Sequence, residues 1–78
     1  MVIVGVTMVN VLPGKERIAY NELSRIEGIK DIYHVFGEYD FVVIIEVEDL
    51  GHLNYIVDLI REAGDVTATQ TIVGAELK

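Results

Sequence analysis

The sequence predicts one α+β domain, a four-stranded antiparallel sheet with two helices on one face, its elements running β-α-β-β-α-β. Three observations lead there. Two segments, Val2–Val11 and Phe41–Val47, are apolar on both faces, as strands in the middle of a covered sheet are. Two other segments repeat apolar residues at helical spacing, and each is followed by a glycine and a more polar strand. The two halves of the chain therefore resemble each other, as the halves of a split βαβ pair do.

Val2–Val11 is rich in β-branched residues, with Val2, Val4, Val6 and Met8 on one face and Ile3, Val9 and Val11 on the other. Pro13-Gly14 ends it. From Lys15 to Ile26, Ala19, Leu23 and Ile26 form a helical stripe widened by Ile18, and Gly28 is placed to cap the helix. Ile29–Phe36 mixes Ile29, Ile32, Val35 and Phe36 with Lys30, Asp31 and His34, the composition of an edge strand. The turn Gly37-Glu38-Tyr39-Asp40 leads into Phe41–Val47. Asp49 is placed to N-cap a second helix, in which Leu53, Ile56, Val57 and Ile60 fall at i, i+3, i+4 and i+7, and which ends near Gly64. Val66–Val73 alternates Thr67, Thr69 and Thr71 with Val66, Ala68, Gln70 and Ile72, so one of its faces should be a row of hydroxyls. In this ferredoxin-like order the first and third strands are central and the second and fourth lie at the edges, matching their ranking by hydrophobicity. Two helices cover only one face of such a sheet, so the apolar residues of the other face call for a second sheet, and a sheet-to-sheet dimer is expected.

Composition narrows the function. The 78 residues make a single domain, 1–78, short enough that subunit contacts are a natural source of stability. The absence of cysteine excludes disulfides, thiolate nucleophiles and Cys-based metal sites, and agrees with a cytoplasmic protein. A net charge of −7, with six scattered Lys and Arg residues, argues against direct nucleic-acid binding. The N-terminal apolar run lacks a basic leader and is broken by Asn10 and Pro13, which argues against secretion and against a membrane span.

The Gly37-Glu38-Tyr39-Asp40 turn is the most informative short feature. Gly37 permits a positive φ and presents backbone N–H groups to a carboxylate, while Asp40 offers an acceptor to an ammonium. An α-amino acid needs both, although the same residues also make an ordinary hairpin turn. The Thr67, Thr69, Thr71 row adds hydroxyls, or else is a solvated strand face. His34 and His52 have no metal-ligand spacing beside them and read as ordinary histidines. Pro13-Gly14-Lys15 lacks the glycines of a phosphate loop and reads as a helix start. Glu46 and Glu48 share a strand face but have no nucleophile or pocket to serve, so no catalytic residue is assigned.

Taken together, Val11-Leu12-Pro13-Gly14-Lys15, Ile26-Glu27-Gly28-Ile29, the Gly37–Asp40 turn and the closing Val66-x-x-Thr69-x-Thr71-Ile72-Val73 resemble the effector-binding RAM domain of Lrp/AsnC-type transcription regulators across nearly the whole chain. That resemblance implies a ferredoxin-like fold, dimers joined through their sheets, larger assemblies built from those dimers, and amino acids bound between dimers. Carried onto this chain, it implies that Gly37, Tyr39 and Asp40 contact the effector, with Thr69 and Thr71 as further partners. The first strand begins directly after Met1, so the resemblance also implies a chain without the helix-turn-helix domain, acting through a full-length regulator by mixed assembly. Two other readings share the topology: a small dimeric α+β barrel enzyme such as a cofactor-free monooxygenase, and a pure oligomerisation module.

Overall fold

Pairing of the two most apolar strands organises the sheet. The computed structural model describes residues 1–76, with β1 (Ile3–Val11), α1 (Glu16–Leu23), β2 (Ile29–His34), β3 (Phe41–Val47), α2 (Leu50–Glu62) and β4 (Val66–Ala75). The sheet order is β2-β3-β1-β4 and every neighbouring pair is antiparallel. The ferredoxin-like fold and the central placement of the first and third strands are as the sequence implies.

Alternation along β1 and β3 divides their side chains between two environments. Thr7, Val9, Val11, Phe41, Val43, Ile45 and Val47 are buried beneath the helices, against Ala19 and Leu23 of α1 and Leu53, Ile56, Val57 and Ile60 of α2. The intervening residues Val4, Val6, Met8, Val42 and Ile44 lie half-buried on the opposite, uncovered face. Tyr33 of β2 and Ile72 of β4 extend that apolar face outward and are more than half exposed. Helix α2 sits so close to the sheet that a Cβ on Gly5 would stand 2.5 Å from Leu53 Cδ1.

Four local details depart from the sequence expectation. Helix α1 stops at Leu23 instead of Ile26, because the chain tightens there into three-residue bonds, Arg25 N–H to Glu22 O and Ile26 N–H to Leu23 O. Ser24, not Gly28, is the C-cap; Gly28 turns the chain into β2 at φ +97°, where a side chain would run into Ile56. Strand β2 ends at His34 instead of Phe36; the Val35 N–H to Asp40 O bond adds one more in-register pair before the chain enters the turn. Finally, an irregularity at Asn10/Val11 shifts the β1–β4 register, so that Val66 pairs with Val11 and packs on the core instead of sharing the face of Ala68 and Ile72. Asp49 does cap α2 as expected, accepting from the His52 N–H at 2.8 Å.

The contact beneath Gly5 yields a test of the packing. Gly5→Ala should destabilise by about 1–3 kcal/mol through overpacking, and Leu53→Ala by about 2–5 kcal/mol through the cavity it leaves. In urea denaturation the double variant should lose clearly less than the sum, since the smaller residue 53 makes room for the added methyl.

Candidate functional site

The Gly37–Asp40 turn is held by both central and edge strands. The β1–β3 ladder ends at Val9 opposite Phe41, two residues before β1 itself ends. Asp40 fills the place of the missing strand: its N–H donates to Val9 O at 3.0 Å, and its Oδ2 accepts from the Val11 N–H at 2.9 Å. The Val35 N–H to Asp40 O bond, 2.8 Å, closes the loop from the other side. Gly37 adopts φ +145° with nothing within 4 Å of a Cβ built there, so glycine serves the backbone conformation and not a close approach. Tyr39 reaches over β1 to donate its hydroxyl to Gln70 Oε1 on β4.

The two threonines belong to a different neighbourhood. Thr71 Oγ1 lies 2.9 Å from Thr7 Oγ1, beneath the helices, and Thr69 Oγ1 accepts from Arg61 Nε of α2 at 3.2 Å. Gln70, between them in sequence, pairs with Met8 and points to the uncovered face. Within one chain the structure therefore gathers Gly37, Tyr39 and Asp40 around Val11 and Gln70, and does not bring Thr69 and Thr71 to them. Gln70 and Arg61 are the polar partners that the sequence left unassigned. For Arg61 a signal exists, because Asn54, Asp58 and Arg61 fall at i, i+4 and i+7 beside the apolar stripe of α2.

Next to the turn, His34 is packed between Phe36 and Phe41, with ring centroids 4.9 and 5.0 Å away. Tyr20 continues the row at 6.2 Å from Phe41, and Tyr20, His34 and Phe41 line an open groove of about 350 Å³ together with Gly14, Glu16 and Arg17. His34 is thus an aromatic packing residue. Among the described residues no three His, Asp or Glu side chains cluster closely enough to hold a metal, and no helix is long and apolar enough to cross a membrane. A monooxygenase of the dimeric α+β barrel kind needs a pocket between sheet and helices, but Val9, Leu23, Val43, Ile45, Ile56 and Ile60 fill that space with no exposure at all.

The family described as the Lrp/AsnC ligand binding domain matches residues 1–76. The chain belongs to that family. A hypothetical protein from Pyrococcus horikoshii superposes with a TM-score of 0.85 at 28% identity, covering 96% of this chain and 92% of the other. The feast or famine regulatory protein of M. tuberculosis, solved in complex with L-methionine, superposes at 0.80 with 22% identity. That likeness covers 96% of this chain but only 51% of the mycobacterial one. Part of the sequence is also similar to the homocitrate synthase of Sulfurisphaera tokodaii, 39% identical over 49 residues, 63% of this chain and 11% of the synthase. This Lrp/AsnC domain accordingly spans a small fraction of the curated enzymes it matches, and about half of the regulator.

Asp40 in this domain carries a structural bond as well as a charge, which decides how it is best altered. Asp40→Ala should lower stability by about 1–2 kcal/mol in chemical denaturation, because the Val11 N–H loses a charged acceptor. Asp40→Asn keeps an acceptor oxygen at the same reach and should recover most of the loss.

Proposed function

We propose that this chain is an effector-sensing, oligomerising module of Lrp/AsnC-type transcription control, acting in the cytoplasm, with a small amino acid as its effector and no catalytic role. The family match across residues 1–76 carries this reading. The M. tuberculosis neighbour solved with L-methionine supports an amino acid as the ligand class. The partial likeness to a homocitrate synthase supports a transferable effector module, one not confined to DNA-binding chains.

The chemistry of the turn suits that ligand. Tyr39 offers a hydroxyl and Asp40 a carboxylate, and Gly37 leaves the backbone uncovered for approach by a second copy. Two copies join through the uncovered sheet face, where Val6 and Ile44 pair at the centre of an apolar patch. Dimers then assemble further, and the effector binds between them at the turn. With a net charge of −7 the chain does not hold DNA itself; it reaches DNA by sharing subunits with a full-length Lrp/AsnC regulator.

A thermal-shift screen against the twenty amino acids, with light scattering at each hit, tests the reading. One chemical class should raise the melting temperature, as a ligand that binds only the folded state must, and should change the assembly size. No response to any of them would leave a pure oligomerisation module. Independently, Val6→Glu or Ile44→Glu should convert the dimer to a monomer of about 8.7 kDa in size-exclusion light scattering.

A further inference from the structure

The groove between α2 and the edge strand β4 gathers a set of groups that the turn does not use. Helix α2 brings Asn54, Asp58 and Arg61 to its rim, Leu53 and Val57 form its floor, and β4 closes it with Thr71 and Val73. Its volume is about 390 Å³, inside the roughly 300–1,000 Å³ span of small-molecule sites. None of the turn residues lines it.

Two of its polar groups are already oriented. Thr7 is fully buried, and its hydroxyl has Thr71 Oγ1 as its partner. Either hydroxyl can donate in that pair, and the bond holds the Thr71 side chain in place on the groove wall. When Thr7 donates to it, Thr71 is left with its own O–H to offer a carboxylate in the groove. Among the described residues Arg61 is the only cation on the lining, and its Nε donates to Thr69 Oγ1 at 3.2 Å. Its Nη1 stands 4.0 Å from Asp58 Oδ1, a solvent-exposed pair that a bidentate carboxylate readily displaces.

We infer that this groove is a second ligand site, separate from the turn, that takes a small α-amino acid. The ligand carboxylate meets Arg61 and the Thr71 hydroxyl, the ammonium meets Asp58, and an apolar side chain rests on Leu53, Val57 and Val73. The inference rests on the reading of the domain as an amino-acid sensor, and it differs in one respect: the groove is complete within a single protomer, so it fills without assembly of dimers.

The test is an amide NMR titration of the full chain with each of the twenty amino acids, and with acetate as a probe carrying only the carboxylate. Saturable shifts at Asn54, Asp58, Arg61, Thr69 and Thr71 are expected for at least one amino acid. Arg61→Gln, at an exposed position that leaves the core intact, should weaken that response tenfold or more. Thr71→Val should do the same and Thr71→Ser should restore it, while Asp40→Asn should leave it unchanged. Shifts confined to Gly37–Asp40 would overturn the groove and leave the turn site standing. An acetate response as strong as that of any amino acid would overturn the zwitterion assignment, and silence toward all twenty would overturn both sites together.

Discussion

Two short helices can shield only one face of a four-stranded sheet, and here the middle strands are apolar on both. On the shielded side the packing is close enough that Gly5 has no room for a side chain under Leu53. On the other side Val4, Val6, Met8, Val42 and Ile44 are left with water as their neighbour in a lone protomer. For a chain of 78 residues, with a core of modest size, that second face is where association would add most to stability. The edge strands β2 and β4 carry most of the polar side chains because the centre of the sheet is apolar on both faces.

The same constraint explains why the turn does two jobs. Strand β1 outruns β3 by two residues, and the Asp40 carboxylate takes the N–H that this leaves over. Tyr39 meanwhile ties the turn to Gln70 two strands away. A ligand that engages either residue competes with a bond that fixes the end of the sheet. Binding at the turn, as proposed, would alter strand ends directly, with no hinge or moving domain required.

The strand order and both helices were legible in the sequence because each depends on one-dimensional periodicity. Val2–Val11 and Phe41–Val47 announced their central positions by carrying apolar residues on both faces, and Leu53, Ile56, Val57 and Ile60 announced the buried face of α2. What escaped depends on register. The shift at Asn10/Val11 turned Val66 toward the core, and no composition rule locates such a shift. Gly28 looked like a helix cap, yet its glycine is required by Ile56, a contact 28 residues away. Of the residues that the likeness to the Lrp/AsnC regulators grouped together, Tyr39 and Asp40 bond to Gln70 and Val11, while within one chain Thr69 bonds to Arg61 and Thr71 to Thr7.

The hydroxyl pair of Thr7 and Thr71 also bears on how sequences of this fold are to be compared. Replacing both members by valine keeps the volume and removes two polar groups at once, a change that hydrogen-bond energetics makes nearly neutral for stability. Selection for folding alone has little reason to keep oxygen at these two positions. Valine at both sites would mark a relative with the same sheet and a greasy, unreactive wall beside α2, so two side chains separate lineages that overall similarity would merge.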